Sequence, residues 1–106
     1  MTDKIVVLTT CESEEEAERI ARSLVEKRVA ACVNILPKAR SIYRWKGAME
    51  DAQEFVLLIK TRRDVFDALR TELSKAHSYE VPEVMALPVV DGSESYLGWI
   101  DRELAS

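Results

Sequence analysis

The stretch IVVLTTCESEEEAERIARSLVEKRVAACVNIL, residues 5–36, decides the fold of this chain. It contains an apolar strand, a helix opened by a capping signal, and a second apolar strand. The same order of strand, helix and strand returns from Phe55 to Val90. A doubled pattern of this kind in a small domain predicts an α+β fold in the order βαββαβ, with one four-stranded antiparallel sheet and two helices on one face.

The first half of the chain gives clear element boundaries. Ile5–Leu8 is apolar and β-branched, which is typical of a central strand. Ser13 and Glu16 have the spacing of a capping box, so we predict a helix from about Glu14 to about Lys27. Pro37 interrupts the next strand and cannot donate to a ladder, which predicts a bulge and a position at the sheet edge.

The second half repeats the scheme with a longer hairpin before it. The predicted elements are a turn over Lys46–Asp51, a strand over Glu54–Lys60, a helix capped by Thr61 or Asp64, a strand over Val84–Val90, and a short final helix capped by Ser93.

Length and charge narrow the possible functions. At 106 residues we expect a single domain, residues 1–106, and a net charge of −4 with both signs interspersed does not favour a nucleic-acid partner. The acidic run Glu12–Glu18 is expected to be the solvated first turn of a helix rather than an acidic tail.

The sequence also indicates a compartment. We find no charged and then apolar leader, and Ile5–Leu8 is too short to span a bilayer, so we expect no membrane association and a cytoplasmic protein. Two cysteines, Cys11 and Cys32, do not form a disulfide framework and are expected to be thiols.

The hairpin between the two halves predicts self-association. Extended chain from Cys32 to Lys46 would span about 45–50 Å, whereas a compact domain of this size is only about 35 Å across. The hairpin must therefore overhang its own sheet and expose Tyr43 and Trp45 unless something covers them. Another copy of the chain in a closed ring is the expected cover, and a hairpin folded back at Pro37 is the alternative.

Five segments, spread over nearly the whole chain, point to a known family. They are Ala31-Cys32-Val33-Asn34, Ser41 through Gly47, Glu54 with Leu57, Lys60 and Thr61, His77-Ser78-Tyr79 with Pro82-Glu83, and Tyr96-Leu97-Gly98-Trp99. In this order they resemble the signature segments of the CutA divalent-cation tolerance family. The resemblance implies a ferredoxin-like fold, a homotrimer interlocked through the long hairpin strands, and a part in tolerance of copper and other divalent ions. We also expect no enzymatic activity and no organic cofactor.

The predicted strand order also supplies a candidate metal site. With the order 4-1-3-2, the end of the first strand and the start of the fourth lie on the same rim. Cys11 should then lie near His77 and Glu83. A thiolate, an imidazole and carboxylates suit a soft or borderline ion, and Cu(II) binds such donors most tightly among the first-row divalent metals. We therefore predict Cys11, His77 and Glu83 as metal ligands.

The resemblance implies copper ligands at a cysteine that closes the first strand and at the histidine of the H-x-Y segment. His77 matches that histidine, but Thr9 is interpreted as the strand-closing residue, and Cys11 comes two positions later. One imidazole with a displaced thiol predicts weak copper binding. The structural alternatives are a surface role for His77, a packing role for Cys11, and rim hydrogen bonds for Glu83.

Other classes of function stay open. One is a trimeric sensor that binds an anion or nucleotide between subunits, although the three glycines, Gly47, Gly92 and Gly98, form no phosphate loop. Another is a cofactor-free enzyme with His77 as acid or base. The last is a structural or partner-anchoring trimer that binds no ligand at all.

Overall fold

The structure is a computed structural model that describes residues 1–105. Its elements are β1 (Lys4–Cys11), α1 (Glu14–Glu26), β2 (Cys32–Trp45), β3 (Ala48–Arg62), a 3-10 turn (Arg63–Val65), α2 (Phe66–Ala76), β4 (Met85–Pro88) and α3 (Glu94–Glu103). The four strands are antiparallel and lie in the order β2-β3-β1-β4. The predicted fold class and strand order are therefore confirmed.

The core lies between one face of the sheet and the helices. β1 alternates along its length from Ile5, so that Ile5, Val7, Thr9 and Cys11 are buried while Val6, Leu8 and Thr10 are partly exposed. The helices contribute apolar stripes at the expected spacing, namely Ala17, Ile20 and Leu24 of α1 with Leu69 and Leu73 of α2. None of the helices within residues 1–105 has the length and apolar character needed to cross a bilayer.

The β2–β3 hairpin extends beyond the rest of the sheet. β1 pairs with β3 only as far as the Cys11–Phe55 pair, whereas β2 and β3 continue together to Trp45 and Ala48. We call the part without a β1 neighbour, residues 39–54, the arm. It gives the molecule extents of 45 × 25 × 22 Å. The predicted overhang and the exposure of Tyr43 and Trp45, at 43% and 40%, are confirmed.

Two local backbone features shape the arm. Pairing between β2 and β3 shifts between Leu36 and Ala39, which is the irregularity predicted at Pro37, and β2 lies at the sheet edge as expected. The predicted six-residue turn is wrong, because β3 begins at Ala48 and only Lys46 and Gly47 turn the chain. Both have positive φ, 51° and 81°, as in the tight turns that match strand twist.

The predicted capping of the second helix is also wrong. α2 begins at Phe66 after the 3-10 turn and has no side-chain cap. Thr61 is buried inside β3, where its hydroxyl donates to the Val29 carbonyl at 2.8 Å, and Asp64 instead accepts from Arg62 at 2.7 Å. A long-range hydrogen bond thus engages Thr61, and a local ion pair engages Asp64, so neither side chain caps the helix.

Three further boundaries differ slightly from prediction. β4 covers only Met85–Pro88, shorter than the predicted strand, and α1 ends at Glu26. The Ser13 hydroxyl does accept from the Glu16 N–H, at 3.2 Å, and Ser93 caps α3 as predicted. β1 continues to Cys11, so Thr9 lies inside the strand and Cys11 closes it. The interpretation of Thr9 as the strand-closing residue is therefore wrong.

Candidate metal centre

Three elements end at one rim of the sheet and bring a thiol, a carboxylate and an imidazole together. Cys11 is the last residue of β1, Glu16 lies in the first turn of α1, and His77 follows the last residue of α2. One donor atom from each lies within 4.8 Å of the others. Among residues 1–105 this is the one group of three His, Cys, Asp or Glu donors with that geometry.

His77 is held in place through both ring nitrogens. It is only 9% exposed. Nε2 donates to the Thr10 carbonyl at 2.7 Å, and Nδ1 accepts from the Tyr79 N–H at 3.1 Å. This pair of bonds places the proton on Nε2 and the lone pair on Nδ1. Nε2 also lies 4.0 Å from the Cys11 sulfur.

The Cys11 side chain is fully buried. Its burial, followed by the negative charges of Glu16 and Glu54, raises the pKa of the thiol to about 12. At neutral pH the group is therefore a thiol, and a proton must leave before the sulfur acts as a strong metal ligand.

Glu16 is a buried carboxylate with one free oxygen. Oε2 accepts from the Ser78 N–H at 2.8 Å, and Arg19 lies 3.7 Å away. Burial raises the pKa of Glu16, but the Ser78 hydrogen bonds and the nearby positive charges outweigh it, so the pKa lies below its ordinary value. Oε1 is buried and has no hydrogen-bond partner among the described residues.

Of the three ligands predicted from sequence, the structure brings Cys11 and His77 together and leaves Glu83 outside the group. Glu83 is exposed and lines a neighbouring cavity beneath the arm. Glu16 is instead the third donor of the group, although we predicted from the sequence that the acidic first turn of α1 would be solvated. A signal was present, because Glu16 lies four residues before Ile20 and eight before Leu24, on the buried stripe of α1.

A second polar contact joins the arm to the segment after α2. The Tyr79 hydroxyl donates to Glu54 Oε2 at 2.6 Å, and Glu54 is only 5% exposed. Burial and the Glu54 carboxylate raise the pKa of Tyr79 above its ordinary value. Residues 77–79 therefore connect the candidate metal centre to the cavity under the arm.

The fold and this rim define a class, a small α+β sheet protein with a candidate centre for a divalent metal ion. Residues 5–103 match the family model described as CutA1 divalent ion tolerance protein. The chain belongs to this family, which confirms the resemblance found in the sequence. The family is one of divalent-cation tolerance proteins rather than of enzymes.

Individual relatives agree with the family match. The divalent-cation tolerance protein CutA of Thermus thermophilus is 50% identical over 95 residues, 90% of this chain and 92% of that protein. Protein CutA of Mus musculus is 48% identical over 88% of this chain, which spans only 52% of the mouse protein. The crystal structure of CutA from Xylella fastidiosa superposes with a TM-score of 0.95 at 43% identity, over 98% of this chain and all of that chain.

Proposed function

We propose that the chain forms a homotrimer that binds a divalent metal ion weakly, copper foremost, and takes part in the response to metal ions. The observation that carries the proposal is the Cys11, Glu16 and His77 group, whose donor atoms lie within 4.8 Å of one another. Family membership supports the link to divalent cations.

The donor set fits such an ion. A buried carboxylate oxygen without a partner is costly, and Glu16 Oε1 would gain a ligand bond if a cation were bound. Sulfur, imidazole nitrogen and carboxylate oxygen together suit Cu(II) or Zn(II) better than Mg(II) or Ca(II). Cys11 also closes β1, where the resemblance implies a cysteine ligand.

The same contacts explain why binding would be weak. The Cys11 thiol must lose a proton from a group with a pKa of about 12. Both His77 nitrogens are already hydrogen-bonded, so a ligand bond to either would replace an existing contact. We expect a dissociation constant well above that of dedicated copper sites.

Calorimetric titration with Cu(II) tests the site. His77→Ala should abolish stoichiometric binding, and Glu16→Gln should weaken it, since it removes the anionic oxygen. Glu83→Gln is the matched control and should leave binding unchanged. Loss of binding in Glu83→Gln alone would instead support the ligand predicted from sequence, and unchanged binding in His77→Ala would refute the site.

The pH dependence provides a second test. If the Cys11 thiol gives up one proton on binding, affinity should rise about tenfold between pH 7 and pH 8, where the group is still almost fully protonated. Cys11→Ser should bind more weakly and lose this slope. A flat profile in the unsubstituted chain would exclude Cys11 as a ligand.

Exposed apolar surface supports the trimer. Met49 on the arm is 71% exposed, and Met85 and Leu87 on edge strand β4 are 50% and 48% exposed. Unpaired strand edges that carry apolar side chains are normally covered, and copies of the same chain would cover them in a closed ring. Native mass spectrometry should give three times the 12.0 kDa chain mass, and a monomer at micromolar concentration would refute the proposal.

The cavity beneath the arm bears on the alternative of an anion or nucleotide sensor. Its charged lining residues are Glu54, Glu80 and Glu83, all acidic. An anion entering it would be repelled, so this alternative is the less favoured. Stabilisation by ATP in a thermal-shift experiment, with none by Cu(II), would reverse that preference.

We also propose a cytoplasmic location. Cys11 and Cys32 are both free thiols in the structure, as is usual in a reducing compartment. Cell fractionation tests this, and recovery of the chain outside the cytoplasm would refute it.

A further inference from the structure

We propose that the cavity between the arm and the segment after α2 binds a small organic cation, a compound carrying a quaternary ammonium or protonated amine. We call this space the arm cavity. The proposal concerns a different site from the metal centre and does not depend on metal binding.

The arm cavity has the size of a small-molecule site. Its volume is about 690 Å³, within the usual range for ligand pockets and far larger than a metal ion requires. Tyr43 and Trp45 of the arm lie on one side, and residues 78–81 and 83 on the other. Thr10 at the end of β1 and Ile42 also line it.

The negative charge of the residues that line the arm cavity favours a cationic ligand. Glu54, Glu80 and Glu83 line the arm cavity, and among the described residues that line it there is no lysine, arginine or histidine. These carboxylates do not converge on one point, because within residues 1–105 only Cys11, Glu16 and His77 form a group of three such donors within 4.8 Å of one another. Negative charge spread around a large space suits an organic cation better than a bare metal ion.

Glu54 is the buried charged residue of this site. It is 5% exposed, and within residues 1–105 no basic side chain lies within ion-pair distance of it. Among the described residues its carboxylate has one hydrogen-bond partner, the Tyr79 hydroxyl at 2.6 Å, which fixes the orientation of the carboxylate. A buried carboxylate without a counter-ion is unfavourable, and a bound cation would supply that counter-ion.

Lys46 already places an ammonium group beside two of the residues that line the arm cavity. Its ammonium nitrogen lies 5.7 Å from the centroid of the Trp45 ring and 3.8 Å from a Glu80 carboxylate oxygen. An ammonium group between an aromatic face and a carboxylate is the arrangement by which proteins bind quaternary ammonium ligands. Lys46 is exposed, so a ligand could displace its ammonium group.

The test compares choline with 3,3-dimethyl-1-butanol, a neutral molecule of nearly the same shape. Each is titrated into the assembled full-length chain without metal, and binding is followed by NMR of the Trp45 indole and the Tyr79 amide. We expect saturable shifts with choline and at least tenfold weaker binding of the alcohol. Equal binding of the two, or no shift with choline, would overturn the proposal.

Variants of the chain locate the binding. Glu54→Gln and Trp45→Leu should each weaken choline binding about tenfold, whereas Lys46→Met should strengthen it at least twofold by removing the internal competitor. Glu50→Gln is the matched control, because Glu50 is a glutamate of the same strand, β3, but is exposed and does not line the arm cavity, and it should leave binding unchanged. An equal loss in Glu54→Gln and Glu50→Gln would refute a specific site and leave only general attraction to an acidic surface.

Discussion

The two ends of the β2–β3 hairpin have the same secondary structure and opposite surroundings. Near the base, Ile59 is fully buried between β1 and the helices, and in the arm Ile42 is 63% exposed on the same hairpin. Both are isoleucines in antiparallel ladders. The difference shows that strand pairing alone gives the arm its shape, whereas the base has a third strand and a helical layer as well.

The largest effect expected from this comparison concerns the two isoleucines themselves. Ile59→Ala should lower the free energy of unfolding by about 2–5 kcal/mol, because it leaves a cavity in the core. Ile42→Ala should change it by less than about 0.5 kcal/mol within one chain. Urea unfolding followed by circular dichroism measures both. A large, concentration-dependent loss for Ile42→Ala would instead show that the assembly covers this residue.

A smaller effect is expected from two tyrosines. Tyr79→Phe removes the only side-chain hydrogen bond that the buried Glu54 carboxylate makes within residues 1–105 and should cost about 1–2 kcal/mol. Tyr43→Phe, on an arm side chain that is 43% exposed, is the matched control and should be close to neutral. Thermal unfolding of the two variants gives the comparison. Equal stability would mean that water replaces the Tyr79 hydroxyl at no cost.

Two glycines should respond with opposite signs. Gly47→Ala forces a side chain into φ +81° at the tip of the arm and should cost about 1 kcal/mol. Gly98→Ala lies within α3, where the added methyl group would meet only the Arg102 side chain at 3.5 Å, and it should stabilise by about 0.5–1 kcal/mol. Differential scanning calorimetry reports both signs. Destabilisation by both substitutions would contradict this account of α3.

The smallest effect concerns two carboxylates paired with arginine. Asp101 lies 3.0 Å from Arg62 and 3.2 Å from Lys4, and both cations are largely buried. Asp101→Asn should cost about 0.5–1 kcal/mol at pH 7. Asp51→Asn, which removes an exposed pair with Arg40 on the arm, should cost less. Urea unfolding of both variants gives the difference.

The difference in stability between the unsubstituted chain and Asp101→Asn should depend on pH, with a definite sign. Arg62, and then Lys4, holds the pKa of Asp101 below its ordinary value in the folded state. The contribution of Asp101 is therefore complete above the unfolded pKa of about 3.9 and is lost as pH falls through the folded pKa. The gap between the unsubstituted chain and Asp101→Asn should shrink below about pH 4, and a gap that grew there would contradict the pairing.

Sequence patterns predicted the base of the hairpin better than the arm. The base follows rules of burial, so a run of apolar, β-branched residues located β1, and the doubled order of strand, helix and strand predicted the strand order of the sheet. The arm is exposed on many sides, and Met49, Glu50 and Asp51 show no alternation that would distinguish a strand from a turn. The signal available there was the Lys46-Gly47 pair, whose glycine suits a two-residue turn.

The candidate site was predictable in part. Cys11 and His77 could be placed together because strand order decides which element ends meet. Glu16 could not be assigned from its residue type, since glutamate in a first helical turn is usually solvated. The arm cavity depends on where residues 78–83 lie relative to Tyr43 and Trp45, which no local pattern specifies.

Residues 77–79 form a short tether with contacts on both sides. The Ser78 N–H is bound to Glu16, the Tyr79 N–H to His77, and the Tyr79 hydroxyl to Glu54. If both proposed ligands bind, these three bonds offer a physical connection through which the two sites could be coupled. Thermodynamic reciprocity then requires that copper change the affinity for choline by the same factor as choline changes the affinity for copper.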